Sequence, residues 1–258
     1  MERIRSFQKL NELSVFFPCY NEEENIEQLL EQALFIVPNI AHKYEIIVIN
    51  DGSTDRTSEI AHKFANKYSS IKIVDQKNSG GYGGAVKSGF KHVKYEWVFF
   101  TDADLQFDLK DLYKFVEASR TGEDLIIGYR IKRAEGIKRQ FFATGMKIWS
   151  KLFLGFPMFI KDTDCAFKLI KKQTIDSVGR LHSDSNLVTT EFLLGAYKRG
   201  YKFKQIGVEH YKRVAGESTC GGISAVVHVI LDTKNLMEVF YIKPAMEKLM
   251  LVLISIKN

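Results

Sequence analysis

The chain has 258 residues, of which 45% are hydrophobic and 26% charged, an ordinary globular composition that suffices for one large domain or two small ones. No stretch of about 18 or more uncharged apolar residues occurs, so we expect no membrane span, and any membrane role must be peripheral. The net charge of +6 and the pI near 9.0 fit an anionic partner such as a nucleotide, a phospholipid surface or nucleic acid. A charge that only aids solubility fits equally well.

The three cysteines, at positions 19, 165 and 220, are odd in number and far apart. No pair has the spacing of zinc ligands and no disulfide framework is indicated, which favours a reducing, cytoplasmic compartment. Residues 1–13 are charged and lack the apolar core of a signal peptide, so we expect no secretory leader.

Short apolar runs alternate with helical patterns over the first half of the chain. The runs that predict buried strands are residues 13–17, 45–50, 71–75, 97–101 and 125–128. Apolar residues at helical spacing predict helices at 22–37, 55–68, 82–92 and 108–120. This alternation implies parallel βαβ units, so we predict an α/β fold with a doubly wound, mostly parallel central sheet flanked by helices. Ligands bind such sheets at the carboxyl ends of the strands.

The alternation weakens after residue 131. We predict a basic loop at 132–139, helices at 141–153 and 187–199, a strand at 204–208 and terminal helices at 221–241 and 244–256. No repeat, low-complexity tract or long linker divides the chain. We therefore predict one α/β domain over residues 1–215 and a helical C-terminal extension over 216–258.

Polar segments follow the first two predicted strands. In Pro18-Cys19-Tyr20-Asn21-Glu22-Glu23-Glu24 the proline ends the strand and the acidic residues open a helix, where the macrodipole favours them. In Asn50-Asp51-Gly52-Ser53-Thr54-Asp55 the glycine permits a tight turn, and the first aspartate stands where a carboxylate can bind ribose hydroxyls or a base edge. Taken alone, the first segment is more typical of a helix start and the second of an ordinary turn.

A glycine-rich run, Gly80-Gly81-Tyr82-Gly83-Gly84-Ala85, precedes the third predicted helix. Such a turn lets backbone amides approach phosphate. The spacing fails the dinucleotide fingerprint, because Val86 stands where the third glycine belongs, and the P-loop ending is absent. A flexible turn is the alternative interpretation.

The segment Asp102-Ala103-Asp104-Leu105-Gln106 directly follows the aromatic strand at 97–101. If the segment is extended, alternate side chains share a face, so Asp102, Asp104 and Gln106 point the same way. Three hard oxygen donors at a strand end suit Mg²⁺ or Mn²⁺, and such an ion neutralises a diphosphate leaving group. The alternative is a solvated acidic turn that caps the helix from Asp108.

Taken in order, these segments resemble the family 2 inverting glycosyltransferases, whose fold is called GT-A. The resemblance rests on the Pro-x-Tyr-Asn-Glu start, the Asp-Gly-Ser-x-Asp turn and the Asp-x-Asp-x-Gln strand end, which cover about the first half of the chain. It implies a nucleotide-binding half at 1–107, an acceptor half at 108–215 and a nucleotide-sugar donor. The residues implied to hold the nucleotide are Pro18, Tyr20, Glu22, Asp51, Ala85 and Asp102. Asp102 and Asp104 engage the metal and Gln106 completes its shell.

The second half resembles the dolichyl- and polyprenyl-phosphate sugar synthases. The matching segments are Gly128-Tyr129-Arg130 with a basic loop, Asp162-Thr163-Asp164-Cys165-Ala166-Phe167-Lys168, and Arg213-x-x-Gly216-x-Ser218. Thr219 departs from the Lys usual in dolichyl-phosphate mannose synthases, and Ala143 departs from their Ser. The Gln-x-x-Arg-Trp motif of processive synthases is absent from the sequence. The resemblance implies transfer to a polyprenyl phosphate by a non-processive enzyme.

Inverting transfer requires an acceptor oxygen to attack the anomeric carbon opposite the diphosphate, through an oxocarbenium-like transition state. A hydroxyl acceptor needs a general base, whereas a phosphate, with a second pKa of about 6, is already largely dianionic. Cations must then hold it, and the candidates are Arg130, Arg133, Arg139 and Arg213. Each could instead be a solvated surface charge. We expect Asp162, Asp164 and Ser218 near the acceptor.

Glu191 leaves a second function open. As a general base it implies transfer to a saccharide or protein hydroxyl; alternatively, it only orients neighbouring groups. A third hypothesis, an inactive nucleotide-binding or membrane scaffold, is disfavoured by the intact Asp102, Asp104 and Gln106. Nucleic-acid binding has no recognition motif to support it.

Aromatic and basic residues interleave in the region of residues 138–156 and predict either an interfacial helix at the cytoplasmic membrane surface or a core helix. The aromatic members are Phe141, Phe142, Trp149, Phe153 and Phe156.

Overall fold

A computed structural model describes residues 7–131, 155–157, 159–213, 231–242 and 246. Its centre is a seven-stranded sheet with the strand order β3-β2-β1-β4-β6-β5-β7. The strands are β1 (Leu10–Cys19), β2 (Ala41–Asn50), β3 (Ile71–Asp75), β4 (Trp97–Phe100), β5 (Leu125–Arg130), β6 (Lys168–Lys171) and β7 (Phe203–Val208). All pairings are parallel except those of β6, which lies antiparallel between β4 and β5.

Helices cover both faces of this sheet. They are α1 (Ile26–Ile40), α2 (Thr57–Lys67), α3 (Gly81–His92), α4 (Leu112–Ala118), α5 (Lys172–Val178) and α6 (Leu187–Lys198). Short 3₁₀ turns flank α4 at Leu109–Asp111 and Ser119–Thr121, and helical residues 231–237 run into a π-helix at Glu238–Ile242.

The hydrophobic core forms two layers, one on each face of the sheet. Successive residues of a strand point to opposite faces, so Val15 packs in one layer and the neighbouring Phe16 in the other. The first layer holds the buried faces of α1 and α4, and the second those of α3 and α6. The doubly wound, mostly parallel α/β sheet predicted from the sequence is therefore confirmed.

The differences from the prediction concentrate after residue 131, where β6 and α5 were missed. Lys168 and Lys171 interrupt the apolar pattern of β6, and an antiparallel strand does not follow from βαβ alternation. In the first half the boundaries shift by a few residues; α1, for example, continues through Pro38 to Ile40.

Several predicted features fall outside the described residues, namely the basic loop at 132–139, the helix at 141–153 and nearly all of the helix at 244–256. Phe156 is described and is buried in the second layer, so the interfacial role predicted for that side chain is wrong. Cys19 and Cys165 are buried free thiols. Within the described ranges, no helix combines the length and apolar character needed to cross a bilayer.

Candidate active site

The carboxyl ends of β1, β2 and β4 meet at one edge of the sheet, and most predicted donor residues follow them. Cys19 pairs with Asn50, and Phe16 pairs with Phe100, the last residue of β4. Three polar loops therefore leave the same edge side by side, as expected for a ligand site in an open parallel sheet.

Pro18 lies inside β1 and not at its end, so the prediction that it terminates the strand is wrong. β1 pairs with β4 only as far as Phe16, and the missing N–H of Pro18 thus falls beyond that ladder. Tyr20 follows the strand and is exposed at the edge, where its ring is accessible to a ligand.

The loops after β1 and β2 are hydrogen-bonded to each other. The Thr54 N–H donates to Asn21 Oδ1 at 2.8 Å, and the Glu23 N–H donates to Asp55 Oδ2 at 3.0 Å. Asn21 has a φ of 53°, a left-handed conformation that asparagine tolerates better than most residues. The two motifs thus form one rigid unit, a role of Asn21 and Asp55 that the sequence reasoning missed.

Asp51 is buried and fixes the glycine-rich turn. Its Oδ2 accepts a hydrogen bond from the Ser79 hydroxyl at 2.7 Å, and its Oδ1 accepts one from the Gly80 N–H at 2.8 Å. Ala85 lies within α3 with its methyl group buried in the second core layer. The Ala85 side chain therefore belongs to the core, and its contact with the nucleotide stays a prediction.

Glu22 and Arg213 connect the first motif to the late arginine. Arg213 Nη2 donates to Glu22 Oε1 at 3.0 Å and to Asp104 Oδ2 at 3.3 Å. Burial raises the pKa of Glu22; the Asn25 hydrogen bond and the charge of Arg213 lower it in part, and Asp104 raises it further. One guanidinium thus spans two carboxylates that lie far apart in the sequence.

The acidic segment after β4 is not extended, so the geometry assumed for it in the sequence prediction is wrong. Residues 103–105 and 107 form bends, and Leu105 has a φ of 57°. Asp104 Oδ1 accepts the Gln106 N–H at 3.2 Å, and Gln106 Nε2 donates to the Tyr211 carbonyl oxygen at 2.9 Å. The Asp104 and Gln106 side chains are therefore held by a folded loop and by the segment that leads to Arg213.

Asp102 is the most strongly perturbed carboxyl group of this edge. Burial and the neighbouring charge of Asp104 raise its pKa to about 7, against the opposing effects of a Tyr82 hydrogen bond and the charges of Lys168 and Arg130. Its Oδ1 is buried and has no hydrogen-bond partner among the described residues. A buried carboxylate oxygen without a partner is suited to binding a cation or a water molecule.

The predicted metal ligands therefore fit a hard divalent ion in their chemistry. Asp102, Asp104 and Gln106 offer oxygen donors of the kind that Mg²⁺ and Mn²⁺ prefer, and the Asp102 oxygen without a partner is available. In the described part of the chain there is no cluster of three or more His, Cys, Asp or Glu side chains that could hold a metal. The predicted ligands are two carboxylates, Asp102 and Asp104, and the amide of Gln106, so they do not form a cluster of that kind.

Arg130 and Asp162 form a bidentate ion pair at the end of β5. Arg130 Nε and Nη2 donate to the two Asp162 carboxylate oxygens at 2.8 and 2.9 Å, and both side chains are at most 10% exposed. Burial opposes the charge of the guanidinium, but the hydrogen bonds and charge of Asp162 outweigh it and raise the pKa of Arg130. Asp162 thus orients Arg130, whereas Asp164 is exposed and accepts the Thr163 hydroxyl at 3.0 Å.

Lys168 is a buried cation beneath this loop that the sequence reasoning did not single out. Its Nζ donates to the carbonyl oxygens of Thr163 (3.1 Å) and Cys165, and burial lowers its pKa. The contacts fasten the loop that carries Asp162 to the sheet. The available signal was a lysine inside the apolar run Phe167 to Ile170.

Glu191 is 1% exposed and both of its oxygens are occupied. They accept the backbone N–H groups of His182 at 2.9 and 3.0 Å and of Ser183 at 2.8 Å, and Oε1 also lies 3.0 Å from His182 Nδ1. This geometry supports the orienting role over the general-base role, because the carboxylate is buried and holds the backbone of the loop at residues 182–183.

Three predicted site residues, Arg133, Arg139 and Ser218, lie outside the described residues, as do the departures at positions 143 and 219. The other predicted polar residues gather at the sheet edge, except Glu191, which caps the loop at residues 182–183.

Comparison with solved structures supports the same architecture. Glucosyl-3-phosphoglycerate synthase from Mycobacterium tuberculosis, crystallised with Mn²⁺ and UDP-glucose, superposes with a TM-score of 0.66 at 16% identity, covering 86% of this chain and 79% of that one. At this identity the likeness concerns the fold, and it confirms the GT-A prediction.

Curated relatives are similar over most of the chain. A dolichyl-phosphate beta-glucosyltransferase of Trichomonas vaginalis is 29% identical over 216 residues, covering 76% of this chain and 65% of that protein. An undecaprenyl-phosphate 4-deoxy-4-formamido-L-arabinose transferase of Edwardsiella ictaluri is 27% identical over 228 residues, covering 88% of this chain and 68% of that protein. The chain thus spans about two thirds of the length of these relatives.

The family model described as glycosyl transferase family 2 matches residues 14–175. This range begins in β1, ends in α5 and includes the Asp51, Asp102–Gln106 and Arg130–Asp162 elements of the site. Because the match covers more than half of the 258 residues, the chain belongs to glycosyl transferase family 2.

Proposed function

We propose that the chain transfers a sugar from a nucleotide-diphosphate donor to a polyprenyl phosphate, with inversion at the anomeric carbon and with Mg²⁺ or Mn²⁺. The observation that carries the proposal is that both sides of the site lie at one edge of the sheet: β4, which precedes Asp102, and β5, which ends at Arg130, run in the same direction on either side of β6, and Asp162 orients Arg130. The names of the Trichomonas and Edwardsiella relatives, which specify lipid-phosphate acceptors, support the choice of acceptor.

The donor side consists of residues 1–107 in this proposal. Tyr20 and Asp51 bind the nucleoside, and the Asp51 contacts with Ser79 and Gly80 hold the glycine-rich turn beside it. The macrodipole of α3 favours an anionic ligand such as a diphosphate near the start of the helix.

Asp102, Asp104 and Gln106 hold the divalent ion in this proposal, and the Asp102 oxygen without a partner supports it. When bound, such an ion supplies positive charge to the departing diphosphate. The mycobacterial structure with Mn²⁺ and UDP-glucose lends support through its shared fold. Arg213 donates to Glu22 and to Asp104, and in this proposal it also binds a phosphate oxygen.

The acceptor side consists of residues 108–215, with 216–258 as an extension. Arg130 presents its guanidinium to the acceptor phosphate while Asp162 fixes its orientation. A phosphate oxygen then attacks the anomeric carbon opposite the leaving diphosphate. No proton has to be removed from the acceptor, since a phosphate is largely dianionic above a pH of about 6; this agrees with a Glu191 whose oxygens are occupied.

A ligand screen with a transfer assay tests the proposal. The wild-type chain is heated with UDP-, GDP-, dTDP- and CDP-sugars, with and without Mn²⁺, and the stabilising sugar is then supplied with a prenyl phosphate or the matching prenyl alcohol. We expect one nucleotide class to raise the Tm only with metal, because ligands that bind the folded state stabilise it, and transfer to the phosphate alone.

Asp104→Ala removes a proposed metal ligand. It should abolish both the metal-dependent rise in Tm and the transfer to the prenyl phosphate. Asp108→Ala is the matched control, because Asp108 only caps the following turn through the Lys110 N–H at 2.9 Å. Full transfer by Asp104→Ala in the presence of EDTA would contradict the metal assignment. Transfer to the prenyl alcohol would contradict the proposal that the acceptor is a phosphate.

A further inference from the structure

Four exposed aromatic and aliphatic side chains lie on segments near the outer strand β7, and we call them the edge patch. Its members and their exposed fractions are Phe159 (51%), Tyr197 (43%), Tyr241 (39%) and Ile242 (49%). The Phe159 ring lies 5.9 Å from Tyr197 and 6.3 Å from Phe203, centroid to centroid. Lys198 Nζ lies 3.7 Å from the centroid of the Tyr241 ring, which connects α6 to the π-helix.

The segments that build the edge patch carry a net positive charge, and the acidic neighbours Glu123 and Asp124 lie beside Lys202. The segments that build it are residues 159–161, 197–204 and 238–242, and their basic members are Lys161, Lys198, Arg199, Lys202 and Lys204. Glu238 is the only acidic residue in these segments. An aromatic surface ringed by cations matches a surface with an apolar interior and anionic groups above it.

The edge patch adjoins the acceptor side of the site. Gln205 Oε1 accepts the Lys161 N–H at 2.8 Å, and Gln205 Nε2 donates to the Phe159 carbonyl oxygen at 2.9 Å. These bonds tie residues 159–161 to β7, directly before Asp162, which orients Arg130. A surface seated against the patch thus lies next to the residues that receive the acceptor phosphate.

We propose that the edge patch docks the protein on an anionic phospholipid surface, with the aromatic rings in the headgroup region and the surrounding lysines against lipid phosphates. This inference rests on the proposed function, since a polyprenyl phosphate is embedded in such a surface. It does not depend on the predicted helix at 141–153. Exposed apolar side chains contribute to binding in proportion to the area they bury, and cations add attraction to anionic lipid.

Vesicle co-sedimentation tests the docking surface. The wild-type chain and Phe159→Ser/Tyr197→Ser are incubated with vesicles of phosphatidylcholine alone or with about one third phosphatidylglycerol. We expect the wild type to bind the anionic vesicles, more weakly at high salt, and the double variant to bind about tenfold or more weakly. Lys198→Gln/Lys202→Gln should lose the preference for anionic vesicles.

Phe35→Ser is the matched control, because Phe35 is an even more exposed phenylalanine on α1, at the other end of the sheet. It should bind like the wild type. Unchanged Tm values exclude misfolding. Equal vesicle binding by the double variant and Phe35→Ser overturns the proposal, as does a wild-type dimer in gel filtration that the double variant abolishes.

Activity separates this inference from the proposed function. The double variant should transfer sugar normally to a short, water-soluble prenyl phosphate and slowly to a long one embedded in vesicles. If the wild type transfers to neither while its vesicle binding still depends on the patch, the proposed function fails and the docking surface stands.

Discussion

Three carboxyl groups, Glu22, Asp102 and Asp104, meet at the carboxyl edge of the sheet, and Arg213 contacts two of them. Burial is the largest cause of the raised pKa values of Glu22 and Asp102. Their ionised forms are therefore disfavoured until a further cation arrives. The site therefore favours the binding of a positive charge. The burial of these carboxyl groups lowers the unfolding free energy of the protein without the cation.

Asp102→Asn should therefore stabilise the metal-free protein at high pH. Because folding raises the pKa of Asp102 to about 7, its ionised form destabilises the fold by an amount that grows from about pH 4 to pH 7 and is constant above. The difference in unfolding free energy between the variant and the wild type should therefore increase by about 1–3 kcal/mol, in favour of the variant, from about pH 5 to pH 8. Urea unfolding in EDTA at both pH values measures it.

Adding Mn²⁺ at about pH 8 should stabilise the wild type and leave Asp102→Asn unchanged. A free-energy difference between the two proteins that does not vary with pH would contradict the pKa of Asp102. If the metal stabilised both proteins, the ion would bind at a site that does not include Asp102.

Sequence position alone predicted that Asp51, Asp102 and Asp104 lie at this edge of the sheet, because each follows a buried strand whose end could be predicted. It could not identify Lys168 or the contact between Arg213 and Glu22. The partners in such contacts are brought together by the order of the strands in the sheet, which local patterns do not encode.

The glycine-rich turn shows at the scale of an element why glycine is required. The Gly83 N–H donates to the Asp184 carbonyl oxygen at 3.1 Å, and a Cβ added at Gly83 would lie 2.5 Å from the Asp184 carbonyl carbon. The glycine-rich run that was predicted to approach phosphate thus also allows the loop at residues 180–186 to pack directly against α3.

Gly83→Ala should lower the unfolding free energy by about 1–3 kcal/mol, because backbone atoms of Asp184 must move. Gly84→Ala is the control, since a Cβ there meets nothing within 4 Å; it should be neutral or stabilise by up to about 1 kcal/mol through helix propensity. Chemical denaturation of both variants measures the difference. Equal destabilisation would show that the turn, and not the contact with Asp184, requires glycine.

Strands β1 to β5 were predicted within a few residues because each contains a short, mostly apolar run next to a helical pattern. β6 escaped prediction because its first residue is a buried lysine whose charge is satisfied by the carbonyl oxygens of Thr163 and Cys165. Tertiary contacts thus overrode the local pattern where the chain inserts an antiparallel strand.

The loop at 180–186 joins distant parts of the whole molecule. Asp184 forms an ion pair with Lys87 of α3, and the Ser185 hydroxyl donates to Asp232 at 2.6 Å. Glu191 of α6 holds the same loop through its backbone N–H groups. The loop thereby connects the donor half, α6 and the helical residues 231–242, and Glu191 is the carboxylate at its centre.

Glu191→Gln should consequently affect stability more than chemistry. The new amide group presents an N–H₂ to backbone N–H donors, so we expect a loss of about 1–3 kcal/mol in unfolding free energy. Transfer to a prenyl phosphate, assayed well below the Tm, should fall less than about tenfold, because a phosphate acceptor needs no base. A catalytic base would give the opposite result: a loss of about 10²–10⁴ in kcat with the Tm unchanged and the acidic limb of the pH–rate profile removed. Glu209→Gln, a change at an exposed glutamate, controls for the loss of one negative charge, so the pair of variants decides between a phosphate and a hydroxyl acceptor.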